Sequence, residues 1–373
     1  MSMVPRDSGV SFASFFERCK LPSTIKDACD AFTRSRYPEE RVQPAPFQGY
    51  CSYTLFVGHD KVVQFRPLAH KLDKEITSRA SSIFGSLVPK TDFLGELYNT
   101  GLCAYCMTRL SGVSLSDLRA ASYKRWQVRS HREQIIRDFA HIQTRSLAHA
   151  RDAQDISEKE KRTVGSSMQW RLEMMGRKLP VRFRGIVTSL LANLPCIQAF
   201  PWVLSHGDFL PSNIVVCRDS GKIEGLIDWA EAEWLPFGVG MYGLEELLGE
   251  GKDGHFVYYP EAGRLRKLFW EMIWAGLPKQ DRNQRYLAFL KDAQSLGILL
   301  WHGIAFDDGK LNRVVEEGKD DGEIEKLDRF FLSPSQSRSV GLSGLVRMIM
   351  APFARLRGGA KTDLIIDKMS SDD

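Results

Sequence analysis

In the stretch SHGDFLPSNIVV, Asp208 and Asn213 stand on a predicted loop that runs straight into an apolar strand, Ile214–Cys217. The turn residues Asp219-Ser220-Gly221 and a second strand, Ile223–Ile227, return the chain, and Asp228 follows at once in GLIDW. A tight hairpin of this kind brings Asp228 back beside Asn213. Two carboxylates and one amide oxygen then meet at one end of a small ribbon. Hard oxygen ligands of this kind suit Mg²⁺, which keeps waters and phosphate oxygens in its shell. Phosphoryl transfer from ATP asks for little more: metal on the phosphates and a carboxylate that orients the attacking hydroxyl. His206, just before Asp208, is placed to brace the loop. The plainer alternative is a surface turn, with Asp228 as a helix cap, since Asp and Asn are common in such places. The compound pattern argues against it.

The elements that must position these residues read as follows. Residues 11–36 are helical in two pieces broken at Pro22, and the Pro-containing stretch 37–48 is a connector. GYCSYTLFV and KVVQFRP read as two strands around Gly58-His59-Asp60. A helix follows, with Leu72, Ile76, Ala80 and Ile83 at three- and four-residue spacing. TDFLGELYN and GLCAYCMTRL give two more strands. From Gly112 onward the chain reads as mostly helical, over about 123–148, 157–173, 180–193, 240–249, 262–275 and 281–297, interrupted once over 201–238. The predicted organisation is a helical extension over 1–44, a β-rich lobe over 45–110, a helical lobe over 111–332 and a tail over 333–373.

Composition sets the outer bounds. The 373 residues are 43% hydrophobic and 26% charged, which excludes collagen-like, wholly disordered and disulfide-scaffold classes. A net charge of +5 without a clustered basic stripe gives no argument for nucleic acid. Seven scattered cysteines suggest reduced thiols and a cytoplasmic location. Cys103 and Cys106, three apart on a strand, point to opposite faces, which is poor geometry for one metal. No apolar stretch is long enough for a transmembrane segment. The tail piece GLVRMIMAPFARLRGG is apolar and basic, and suits either an anionic membrane surface or packing on the body.

The motifs HGDFLPSN and LIDW resemble the catalytic loop and metal-binding segment of the aminoglycoside phosphotransferase/choline kinase group, in particular its fungal phosphotransferase-like branch. QGYCSYT and AEWLPFG add to the similarity, which spans about residues 45–300. The resemblance implies a bilobal α+β protein-kinase-like fold, with a small β-rich N-lobe and a mainly helical C-lobe. It also implies an ATP- and Mg²⁺-dependent phosphotransferase acting on a hydroxyl of a small molecule, such as an amino alcohol, sugar or secondary metabolite.

Carried over by residue, Asp208 is the base, with His206 in support, and Asn213 and Asp228 are the metal ligands. Gly49 and Ser52 belong to the loop over the nucleotide phosphates, and Met107 to the interlobe hinge beside the adenine. The family places a basic residue on the third strand and pairs it with a Glu on the next helix. Glu75 fits the Glu, but Gln64 stands where the basic residue belongs. Strand alternation puts Val62, Gln64 and Arg66 on one face, so Arg66 is in reach of Glu75 or the phosphates. A lost cation weakens electrostatic stabilisation. The alternative function is therefore a catalytically weak or inactive kinase-like binding protein.

On the acceptor side, Glu231, Glu233, Glu245, Glu246 and Glu250 either hold an amine-bearing substrate or pair internally. Trp229 and Trp234 either stack on a substrate or fill the core.

Overall fold

The computed structural model describes residues 12–22, 24–46, 48–120, 125–307 and 310–332. The N-lobe opens with α1 (Phe12–Arg18) and α2 (Thr24–Arg36). A five-stranded antiparallel sheet follows, from β1 (Val42–Pro44), β2 (Tyr53–Val57), β3 (Lys61–Pro67), β4 (Thr91–Leu97) and β5 (Leu102–Thr108), in the order β1-β2-β3-β5-β4. Sequence reading missed β1, which is three residues long, ends in Pro44 and lies inside the stretch read as extension and connector. It pairs with β2 in the register Val42↔Val57.

Alternation gives this sheet two unlike faces. Tyr53, Leu55, Val57, Val63, Phe65, Leu102 and Ala104 turn to one side, where Phe15 and Phe16 of α1 and Cys29 of α2 cover them. The lead-in helices therefore supply the back of the N-lobe core. The other face carries Cys103, Tyr105 and Met107, which cluster with Leu72 and with Ala230 of the C-lobe. Gln64 and Arg66 belong to this cleft face.

Between β3 and β4 runs α3 (Lys74–Phe84), capped by Asp73, whose side chain accepts from the backbone N–H groups of Glu75 and Ile76. Its apolar stripe, Ile76, Ala80, Ile83 and Phe84, is buried in the large C-lobe core. One helix thus ties the two lobes together.

The C-lobe contains β6 (Val113–Ser114), α4 (Leu115–Ala120), α5 (Arg125–Ala148), α6 (Glu158–Gly165), α7 (Met168–Lys178) and α8 (Val181–Gln198). Then come β7 (Trp202–Ser205), β8 (Ile214–Val216), β9 (Ile223–Leu226), β10 (Glu233–Pro236) and α9 (Gly243–Leu247). A hairpin of β11 (Gly249–Lys252) and β12 (His255–Tyr258), helices α10 (Ala262–Gly276) and α11 (Gln284–His302), a hairpin of β13 (Ile304–Asp307) and β14 (Lys310–Val314), and α12 (Asp321–Leu332) complete the described chain. The mostly helical reading after Gly112 is corrected at these two hairpins. At 240–249 a 3₁₀ turn, the short α9 and the start of β11 replace one helix. The apolar, basic tail lies outside the described residues. No helix among the described residues is long and apolar enough to cross a membrane.

Candidate active site

Two antiparallel ribbons aim their ends at one place. The first is β8–β9, with Ile214 opposite Leu226. Its ladder runs one step further, since the Ile227 N–H donates to the Asn213 carbonyl at 2.9 Å. That pairing brings Asp228 back toward Asn213, as the hairpin argument expects. The second ribbon is β7–β10, with Ser205 opposite Glu233. It delivers the loop 206–213 from one strand and closes the loop 227–232 on the other.

These loops are braced by backbone contacts. Gly207 has φ +77°, and a Cβ there would run into the backbone carbonyl of Glu231. Glycine is therefore required twice over, by conformation and by space. His206 is buried and sits between the loops. Its Nε2–H donates to the Ile227 carbonyl at 2.9 Å, and its Nδ1 accepts from the Asp208 N–H at 3.3 Å. Both bonds require the neutral ring, and burial pushes its pKa down to about 4. His206 is a brace, then, rather than a proton carrier at neutral pH. Trp229 packs edge-on to it at 4.6 Å between ring centres and donates Nε1–H to the Leu226 carbonyl. Phe209 is pinned by its N–H bond to the Tyr242 hydroxyl at 2.7 Å.

The Asn213 amide donates to Asp208 Oδ2 at 2.8 Å and to the Asp208 carbonyl at 3.0 Å. Its own Oδ1 makes no hydrogen bond among the described residues. Asp228 has the left-handed backbone, φ +61°, uncommon for a residue with a side chain. Its carboxylate is 41% exposed, at an open cleft, and accepts from Arg66 Nη2 at 2.7 Å. Crowding by protein acts to raise the Asp228 carboxyl, but the charge and hydrogen bond of Arg66, helped by His206, hold it below its ordinary range.

The cleft face of the sheet supplies the rest. Arg66 is only 3% exposed. Its Nε donates to Gln64 Oε1 at 2.7 Å, and Gln64 Nε2 donates to Thr54 Oγ1 at 3.3 Å across the β2–β3 ladder. Val62, Gln64 and Arg66 share a face, as strand alternation predicts. Of the two partners in reach of Arg66, Glu75 or the phosphates, Glu75 makes no bond to it. Glu75 sits exposed in the first turn of α3, with no ion pair among the described residues, because the Asp73 cap and the buried Ile76 turn it outward. Asp228 takes its place as the partner of Arg66.

Around Gly49 and Ser52 the loop is ordered by Gln48, whose side chain bonds the Ala45 carbonyl and both backbone groups of Thr54. Sequence reading missed the residues that hold this loop from outside. Arg18 donates to the Tyr50 carbonyl at 2.7 Å and lies 4.2 Å over the Tyr50 ring. Phe306 of β13 meets the same ring edge-on at 5.4 Å. Tyr50 stands inside QGYCSYT, but nothing in the sequence ties it to a residue more than two hundred positions away. Met107, near the end of β5 opposite Val62, is half-buried on the cleft face.

The acceptor-side carboxylates mostly pair internally. Glu245 takes Arg266 and the Tyr258 hydroxyl, Glu246 takes Lys326, and Glu250 takes the Tyr259 hydroxyl. Glu233 is buried and accepts the Val164 and Gly165 N–H groups on one oxygen, at 2.9 and 2.8 Å. Burial raises its pKa to about 7 despite those bonds. Only Glu231 of the five is exposed. Trp229 and Trp234 are core residues.

Residues 58–239 match the model of the phosphotransferase enzyme family, APH. Among solved structures the chain is similar to a point mutant of aminoglycoside 2′-phosphotransferase-IIIa in its GDP complex, at 13% identity and TM-score 0.51, over 86% of this chain and 99% of that one. It is also similar to aminoglycoside-3′-phosphotransferase of type VIII, at 17% identity and TM-score 0.46, over 72% and 98%. A third is APH(3″)-Id from Streptomyces rimosus, at 14% identity and TM-score 0.42, over 72% and 98%. The first of these supports the bilobal fold. No curated protein matches the chain. The segment 58–239, which holds Arg66, Asp208, Asn213 and Asp228, belongs to the phosphotransferase enzyme family, APH.

Proposed function

We propose that the chain transfers the terminal phosphoryl group of ATP, with Mg²⁺, to a hydroxyl of a small molecule such as an amino alcohol, sugar or secondary metabolite. The observation that carries this reading is the convergence of Asp208, Asn213 and Asp228 at the ends of two ribbons. Among the described residues no three His, Cys, Asp or Glu side chains gather as a metal group. The donor set here is instead two carboxylates and the Asn213 amide oxygen, the hard set that suits Mg²⁺. Asn213 spends its amide protons on Asp208 and keeps Oδ1 for the metal.

The roles follow from the contacts. Asp208, oriented by Asn213, accepts the proton of the acceptor hydroxyl as that oxygen attacks phosphorus. Asn213 and Asp228 hold the metal. When bound, Mg²⁺ neutralises charge on the phosphates. Arg66 is the protein's own cation on the same side. His206 fixes the distance between the two loops. Gly49 and Ser52 lie in the loop over the phosphates, and Met107 lies beside the base. Of the five acceptor-side carboxylates, Glu231 is the exposed one, and it would meet an amine on the acceptor. The similar 2′-phosphotransferase is a GDP complex, so GTP belongs beside ATP in any test.

A second reading, a kinase-like binding protein with weak or no transfer, draws on the Arg66–Asp228 ion pair, which occupies an oxygen of a metal-binding carboxylate. Calorimetric titration of ATP and GTP, with and without Mg²⁺, tests the first reading on the wild type and on Asp228→Ala. Magnesium-dependent binding that disappears in the variant is the expected result. A wild type that takes up neither nucleotide sinks the proposal.

A further inference from the structure

We infer that Gln64 is a positioning residue that aims Arg66, so that the cation of the nucleotide site stands two residues further along β3. The inference rests on the phosphotransferase reading and deepens it. Three contacts form a relay. Thr54 lies directly across the ladder from Gln64 and accepts its Nε2–H at 3.3 Å. That bond fixes which way the amide points, and turns Oε1 toward Arg66. Arg66 Nε then donates to Oε1 at 2.7 Å, and Nη2 donates to Asp228 Oδ1 at 2.7 Å. Nη1 makes no hydrogen bond to a described residue, and is the edge of the fork left for a phosphate oxygen.

The relay explains two departures together. Gln64 carries no charge because its task is to accept from a guanidinium, and a lysine has no acceptor. Arg66 leaves Glu75 without a cation because its carboxylate partner is Asp228. A guanidinium has five donors in a fixed plane, so pinning Nε sets the direction of the whole group. Restoring a lysine at position 64 would cut that pin and place a second positive charge on the same strand face. It is expected to weaken the site.

The test is calorimetric titration of ADP with Mg²⁺ into the full chain, for wild type, Gln64→Met, Gln64→Glu and Gln64→Lys, each first shown by thermal melting to be folded. Gln64→Met keeps the shape and loses the acceptor, and its affinity should fall about tenfold, as for a lost hydrogen bond to a charged group. Gln64→Lys should lose at least as much. Gln64→Glu still accepts from Nε, and should stay within about twofold of wild type. Wild-type affinity in Gln64→Met, or tighter binding in Gln64→Lys, overturns the inference and leaves the phosphotransferase reading standing. No binding of ADP by the wild type removes both.

Discussion

On the C-lobe wall of the cleft, the His206 ring, the close approach of Gly207 and the Asn213 carbonyl lock the loops 206–213 and 227–232 to each other through the Ile227 carbonyl, the Glu231 carbonyl and the Ile227 N–H. On the sheet wall, Gln64, Arg66 and the Tyr50 loop are held by side chains reaching across strands and across lobes. The first wall tolerates little change, because backbone contacts fix spacing directly. The second is adjustable, and it is there that Gln64 stands beside Arg66 on β3. Under the proposed function, rigid placement would serve Asp208, the group assigned to the acceptor hydroxyl. Under the same proposal, the charge on the phosphates would come from Arg66, aimed by its bond to Gln64.

Four changes would break or sharpen that contrast. Asp208→Ala should lower transfer about a thousandfold, as for loss of a positioned base, while nucleotide binding stays nearly intact. Turnover assays beside calorimetry decide it, and unchanged turnover removes Asp208 as the base. Gly207→Ala forces a side chain against the Glu231 carbonyl at a left-handed φ, and should cost roughly 2–4 kcal/mol in denaturant melts. A neutral result would mean that the loops are not in backbone contact.

Glu233→Gln tests the buried carboxylate behind the loops. Between its ordinary value of 4.5 and about 7, the folded chain holds a proton on Glu233 that the unfolded chain has released. Stability from this group is therefore full below that window and is lost as pH rises through it. Gln keeps an oxygen for both N–H groups and carries no charge. It should gain roughly 2 kcal/mol over wild type at pH 8, and much less at pH 5. Equal melting differences at the two pH values would contradict this. Glu75→Ala is the smallest. An exposed, unpaired side chain should shift nucleotide affinity less than about twofold, whereas a tenfold loss would restore Glu75 to the site.

The contrast between the walls also shows what sequence could disclose. HGDFLPSN and LIDW were legible because their geometry is local: a loop, a strand pair and a turn that sequence spacing fixes. The strand-strand-helix-strand-strand order was legible from alternation and from the α3 stripe. β1 was not, being three residues with a terminal proline, nor was the β7–β10 ribbon, whose strands lie far apart in sequence and pair only once the loops between them fold. The hairpins at 249–258 and 304–314 were hidden by Gly-rich or charged turns without clean alternation. Glu75 was misplaced because a Glu on the right helix was taken to face the cleft, while the Asp73 cap and the buried Ile76 set the helix's rotation the other way.

Arg18 and Phe306 stand before and after the family-matched segment, and both reach Tyr50. Strand β2, which follows that loop, also lies before the segment begins. A fragment cut to 58–239 would keep Asp208, Asn213 and Asp228 and lose the Tyr50 loop, strand β2 and the residues that moor them. The smallest piece of this chain that keeps the Tyr50 loop in place is therefore drawn by where that loop is tied down, at Arg18 and at Phe306, and not by where its likeness to other proteins stops.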